Sequence, residues 1–84
     1  MTLDDIKSAV VSAVTGVAPE IDPLSIHSSV NFRDELDLDS MDFLNLMIGL
    51  HEALKVEIQE SDYAACSTLE GCVERLAARL GATT

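Results

Sequence analysis

The chain has 84 residues, enough for one domain whose modest core buries about 60–65% of the surface that its unfolded form exposes. A formal charge of −10, with only five Lys and Arg residues, leaves no face for nucleic acid or anionic membrane and favours proteins carrying basic patches. The 48% hydrophobic content excludes a disordered acidic chain, and with aromatics confined to Phe32, Phe43 and Tyr63 the core must be aliphatic, which suits packed helices.

The first predicted helix runs from about Leu3 to Val17. Thr2 can cap it, Asp4 and Asp5 suit its positive end, and Ile6, Val10, Val14 and Val17 recur at helical spacing. Gly16 weakens its end, and the β-branched residues cost propensity, so packing must supply its stability. From Ala18 to Asn31 periodicity disappears into Ala-Pro-Glu-Ile-Asp-Pro and a run of Ser and Asn turn residues. Ile21, Leu24, Ile26 and Val30 are expected to fasten this long loop onto the helices.

A second helix is predicted from Ser40 or Met41 to Leu54 or Lys55, with Asp39 or Ser40 as its cap. At about 100° per residue, Phe43, Leu46, Met47, Leu50, Ala53 and Leu54 gather on one core-facing side. Met41, Leu44 and Ile48 fall nearly opposite, with Asn45 and Glu52. This second apolar stripe requires either a covering element or a contact surface for something outside the domain. Val56-Glu57-Ile58 reads as an extended connector with its apolar side chains tucked inward. A short helix is expected from Ser61 to Cys66, with Ser61 or Glu60 near its cap. A final helix follows from Thr68 to Leu80, with Leu69, Cys72, Val73, Leu76 and Leu80 on one face. Ser67 or Thr68 can cap it, Glu70 and the pair Arg75 and Arg79 suit its two ends, and Gly81 is a plausible stop before a loose tail. The expectation is all-α: three main helices, one short one and a long first loop, in a single domain spanning residues 1–84.

Cys66 and Cys72 make no disulfide framework and lack metal spacing, so they read as small core side chains. His27 and His51 stand apart without ligand-like neighbours, so no metal is expected. No basic-plus-apolar leader opens the sequence and no apolar run approaches membrane-spanning length, so a soluble cytoplasmic protein is expected.

Chemistry concentrates in Asp34-Glu35-Leu36-Asp37-Leu38-Asp39-Ser40-Met41-Asp42-Phe43. Acidic residues crowd the approach to Ser40, and a helix follows it. A helix start presents unpaired backbone N–H groups and the positive dipole end, so a serine there can carry a phosphodiester with its substituent in solvent. The plainer reading is a capping Asp-Ser pair. An EF-hand fails, because counting from Glu35 its sixth and twelfth positions hold Ser40 and Leu46 instead of glycine and a bidentate acid. A nucleophilic triad fails for want of a base placed near Ser40, and no phosphate-cradling glycine loop exists.

The run Phe32-Arg33-Asp34-Glu35-Leu36-Asp37-Leu38-Asp39-Ser40-Met41-Asp42 resembles the prosthetic-group attachment site of acyl carrier proteins. That family has Asp-Ser followed by Leu or Met, after a Phe-x-x-acid-Leu stretch. The resemblance continues through Leu46, Leu50, Glu52 and Val56-Glu57-Ile58 to Thr68-Leu69, covering roughly residues 30 to 80. It implies a small acyl-carrier-like helical bundle in which Ser40, flanked by Asp39 and Met41, holds a 4′-phosphopantetheine arm derived from coenzyme A. The arm's thiol would carry acyl groups as thioesters between enzymes of fatty-acid, polyketide or specialised lipid synthesis, the protein performing no catalysis itself. Recognition would fall on Met41, Leu44 and Ile48, with the acidic Asp34, Glu35, Asp37, Asp42 and Glu52. The implied partners of this monomer are a phosphopantetheinyl transferase and acyl-loading and acyl-processing enzymes with basic patches. Leu46, Met47, Leu50, Cys66 and Cys72 form a candidate acyl pocket, soft enough to part for a chain, with ordinary core packing as the alternative.

Two departures stand out. Asp37 occupies a position usually held by glycine in that family, which bears on how the loop turns. Asn45 and His51 replace glutamates common in fatty-acid carriers, which leaves open a dedicated pathway beside the ordinary enzymes of fatty-acid synthesis. A peptidyl carrier shares the fold and the serine, though the strong acidity favours an acyl carrier, and an unmodified helical domain docking a partner helix through Met41, Leu44 and Ile48 is the rival from another class.

Overall fold

In a computed structural model of the protein, residues 2–81 are described. They form three α-helices, α1 (Leu3–Val17), α2 (Ser40–Leu54) and α3 (Leu69–Leu80), joined by loops that contain three short 3₁₀ turns. The expected loose tail after residue 80 lies, beyond Gly81, outside the described residues. None of the described helices is long and apolar enough to cross a membrane.

Each helix begins on a side-chain cap. The Thr2 hydroxyl accepts from the Asp5 N–H at 3.2 Å while the Asp5 carboxylate accepts from the Thr2 N–H at 3.1 Å, a reciprocal box that satisfies two otherwise orphaned donors. The backbone and hydroxyl donors of Thr2 hold the Asp5 carboxyl below its usual range. Asp39 caps α2 by accepting from the Asp42 N–H at 2.8 Å, which makes Ser40 the first residue inside the helix. Thr68 caps α3 through the Gly71 N–H at 3.0 Å. Gly81, at φ +65°, supplies the left-handed stop of α3.

One core joins these elements, with α1 lying against both α2 and α3. Ile6, Val10 and Val14 from α1, Phe43, Leu46, Met47, Leu50 and Leu54 from α2, and Leu69, Cys72, Leu76 and Ala77 from α3 are buried, with Val17, Val73 and Leu80 packed at the margin. Ala53 departs from the predicted core face: it is exposed. The side of α2 toward α1 carries Asn45, Gly49 and Ala53 opposite Ala9, Ala13 and Gly16, and side chains this small leave a shallow groove in place of a seal.

The first loop is fastened by Ile26 and Val30, which are buried, and Ile21, which is half-buried; Leu24, expected to join them, is 94% exposed. The Asp22 carboxylate accepts from the Leu24 N–H at 2.9 Å and Pro23 opens a 3₁₀ turn, and this tight turn directs the leucine outward. Further on, the loop is bonded to the approach to α3: Phe32 N–H to the Ser67 carbonyl (2.9 Å), Leu69 N–H to the Val30 carbonyl (3.2 Å) and Glu70 N–H to the Ser28 carbonyl (2.8 Å). Phe32 and Leu38 then bury themselves beneath the segment that leads into Ser40.

The short helix expected from Ser61 to Cys66 is instead two 3₁₀ turns, Glu60–Asp62 and Ala65–Ser67. Gln59, not Ser61 or Glu60, precedes the first turn, and the Asp62 carboxylate bonds back to its N–H at 2.9 Å. Asp62 and Cys66 are both buried, and the tightened turns swing these two side chains inward within a segment too short for a stable α-helix.

Candidate functional site

Ser40 sits at the first residue of α2 with its side chain exposed. Two features of the preceding loop place it there. Asn31 turns the chain by accepting from the N–H groups of Arg33 (3.0 Å) and Asp34 (2.9 Å), and the Leu38 N–H returns to the Phe32 carbonyl at 3.2 Å. Between them Asp37 adopts φ +57°, a left-handed conformation that glycine enters freely and aspartate tolerates at a cost. The chain thus closes on itself, and Arg33 arches over the helix start. Its Nη2 donates to the Ser40 Oγ at 3.1 Å.

No carboxylate or imidazole among the described residues bonds to Ser40 Oγ, and the Arg33 contact occupies one of its lone pairs. The hydroxyl thus stands exposed with the guanidinium as its hydrogen-bond partner among the described residues. A nucleophile acting on its own substrate would need an adjacent base.

Beside it opens a cleft of about 480 Å³ lined by Arg33, Ser40, Phe43, Leu44, Tyr63, Ala64 and Ser67. The Tyr63 ring meets Phe43 edge-on, with centroids 5.9 Å apart and planes at 82°. A second hollow of about 220 Å³, on the other side of Tyr63, is lined by Met47, Ile48, His51, Glu57 and Ile58. His51 is held at the end of α2 by its Nδ1, 2.7 Å from the Val56 carbonyl.

The residues singled out in the sequence divide into three groups. Asp34, Glu35, Asp37 and Asp39 are exposed and Asp42 is half-buried, so carboxylates flank Ser40 on both sides along the chain. Met41, Leu44 and Ile48 are 66%, 40% and 46% exposed, an apolar stripe that begins next to the serine; Glu52 is exposed further along the same helix. Leu46, Leu50, Cys66 and Cys72 are wholly buried and line neither cleft, and of the five interior residues only Met47 reaches a wall. The hydrogen bond shared with Cys66, and then burial, push the Cys72 thiol up, so it stays protonated.

Of the cleft's lining, Arg33, Tyr63, Ala64 and Ser67 are residues that periodicity does not single out. Arg33 carries one legible signal, being the only Lys or Arg between Lys7 and Lys55. Tyr63, Ala64 and Ser67 carry none, because their placement depends on the 3₁₀ turns.

A family profile described as a phosphopantetheine attachment site matches residues 8–76. The chain is similar to the acyl carrier protein of Phytoplasma australiense, at 33% identity over 73 residues, 87% of this chain and 90% of that protein. It is also similar to the acyl carrier protein of Chlamydia muridarum, at 29% over 79 residues, 94% of this chain and 97% of that one. Against the mitochondrial acyl carrier protein of Neurospora crassa the identity is 25% over 71 residues, 84% of this chain, which spans about half (53%) of that protein's length.

Proposed function

The chain belongs to the acyl carrier protein family, whose members bear a phosphopantetheine arm and carry rather than catalyse, and on that premise we propose that Ser40 is the residue that holds the arm. The observation that supports this reading is the position of its hydroxyl: exposed, at the first residue of α2 behind the Asp39 cap, at the edge of an open cleft. A transferase would supply the base. The Ser40 proton would leave as the Oγ–P bond formed, with the pyrophosphate bond of coenzyme A broken and adenosine 3′,5′-bisphosphate as the leaving group. The bound arm supplies a thiol for acyl thioesters; the protein supplies the anchor, the cleft and the surface that partners read.

In this reading the carboxylates of Asp34, Glu35, Asp37, Asp39 and Asp42, with Glu52, steer a basic partner toward the serine. Met41, Leu44 and Ile48 give that partner its apolar contact. The partners are the transferase and enzymes that load and process acyl groups in fatty-acid, polyketide or specialised lipid synthesis, and the carrier works as a cytoplasmic monomer forming one domain. The cleft beside Ser40, open and walled by Phe43, Leu44 and Tyr63, offers an apolar surface at the root of the arm, whereas the interior around Leu46, Leu50, Cys66 and Cys72 is packed.

Thiol counting tests the carrier function. Cys66 and Cys72 have no exposed surface, so the native unmodified protein should react only slowly with a thiol reagent. Treatment with coenzyme A and a broad-specificity phosphopantetheinyl transferase should create one fast-reacting thiol per chain. The rate of its appearance should fall as salt rises, since exposed charges are screened over about 8–10 Å at ordinary ionic strength. No new thiol would refute the carrier reading, and a rate indifferent to salt would reduce the acidic segment to a solvated surface.

A further inference from the structure

We propose that Arg33 is the positioning residue of the prosthetic arm: its guanidinium, which donates to the Ser40 hydroxyl, pairs with the phosphodiester formed there and turns the arm along the Phe43–Tyr63 wall of the cleft. This rests on the reading of Ser40 as the attachment residue. Three observations carry it.

The first is geometric. Arg33 Nη2 lies 3.1 Å from the oxygen that would bear the phosphorus, so non-bridging oxygens of a phosphate on Oγ fall within reach of the same planar donor fork. The Arg33 backbone is fixed by Asn31 and by the buried Phe32 beside it, so the reach is built into the loop.

The second is electrostatic. A phosphodiester adds a negative charge to a segment that already carries Asp34, Glu35, Asp37, Asp39 and Asp42. Arg33 is the cation beside it; Lys7, on α1, lines a different cleft with Ser28, Leu69 and Glu70. Arg75 and Arg79 are committed to Asp62, at 3.3 Å and 3.0 Å, and Lys55 stands at the far end of α2, about 20 Å away at 1.5 Å per residue. Despite its acidic neighbours, Arg33 makes no ion pair among the described residues; its head group is turned to the serine.

The third is directional. Arg33 and Ser40 line the same cleft, so a phosphate held by both lies at its mouth and the next bonds of the arm run toward Phe43 and Tyr63. Without the guanidinium, repulsion from the neighbouring carboxylates would drive the phosphate outward, and the arm would sweep free solvent.

The test uses the intact protein, converted with coenzyme A and transferase, as wild type, Arg33→Gln and Arg33→Lys, with intact mass confirming conversion. On conversion of the wild type, the guanidinium NMR signals of Arg33 should shift while those of Arg79 stay in place. Nuclear Overhauser contacts from the pantetheine methyls to Phe43 and Tyr63 should weaken about two- to fivefold in Arg33→Gln, the range that an exposed charge pair supports. Arg33→Lys should recover part of the loss, and high salt should reproduce it in the wild type. Unchanged Arg33 signals on conversion, or contacts in Arg33→Gln as strong as in wild type, would overturn the proposal. If Arg33→Gln resists the transferase, the wild-type guanidinium shift decides alone. A wild type that gains no arm would instead remove the reading of Ser40 on which the proposal rests.

Discussion

Gly71→Ala is expected to cost about 1–3 kcal/mol of stability, the range for forcing atoms into a filled space. For a domain of this size that is a fall of about 5–20 °C in Tm. The sign is opposite to what helix propensity dictates, because alanine is the better helix former by up to about 1 kcal/mol. Gly71 lies in the first turn of α3, where an added Cβ would run into the Ala65 carbonyl oxygen and come within 3.0 Å of the Thr68 Oγ1. Both neighbours are fixed: Ala65 opens the 3₁₀ turn beneath α3, and the Thr68 hydroxyl caps the helix. Gly49→Ala is the control. Nothing lies within 4 Å of a Cβ there, so the same substitution in α2 should stabilise by about 0.5–1 kcal/mol. Thermal melts of the two variants should therefore move in opposite directions. A Gly71→Ala protein as stable as wild type would mean that α3 does not seat on the Ala65–Ser67 turn as closely as described.

The second large effect belongs to Asp62. Its side chain is 1% exposed, accepts from the Gln59 N–H at 2.9 Å, and meets Arg79 and Arg75 at 3.0 Å and 3.3 Å. It thereby ties the loop of 3₁₀ turns to α3. Asp62→Asn keeps the shape and removes the charge, leaving two guanidinium groups beside a neutral amide. At neutral pH its Tm should fall well below wild type, by more than for the same exchange at the exposed Asp34. The pH dependence carries a sign. The Gln59 N–H and then the Arg79 hydrogen bond hold the Asp62 carboxyl below its usual range. A group whose native pKa is depressed stabilises the fold above its unfolded value, near 3.9, and loses that contribution as pH falls toward the native value. The Tm gap between wild type and Asp62→Asn should be full at pH 7 and begin to close below about pH 4–5. The other carboxylates are common to both proteins and cancel in the difference. A gap that widens on acidification would contradict the assignment.

Much of the fold was legible because it is local. The spacing of Ile6, Val10 and Val14 and the Thr2 cap predicted α1 with the boundaries it has, while for α2 the sequence offered Asp39 or Ser40 as the cap and the structure has Asp39. Where the sequence misled, local turn geometry or longer-range partners decided. Leu24 looked like an anchor, but its own turn, clamped by Asp22, points it at solvent. Ala53 shares the angular position of core residues, yet whether it is covered depends on the size of the facing side chains of α1, which helical periodicity does not carry. Asp62 reads as one more solvated acid in an acidic chain, and its partner Arg79 is 17 residues away. Ser40, the proposed attachment residue, stood out in the sequence by its motif. Its contact with Arg33 did not, because that contact needs the loop between them to fold back through a left-handed Asp37, a conformation that the sequence leaves open.

The central claim, that Ser40 carries the arm, is tested most directly by mass mapping after treatment with coenzyme A and a phosphopantetheinyl transferase. The intact protein should gain the mass of a single phosphopantetheinyl group, and fragmentation should place it on Ser40 in the peptide that contains Asp39 and Met41. Ser40→Ala should gain nothing, with helical circular dichroism and Tm close to wild type, because the exposed hydroxyl contributes little to the fold. A wild type that stays unmodified, or an arm found on another serine, would contradict the account.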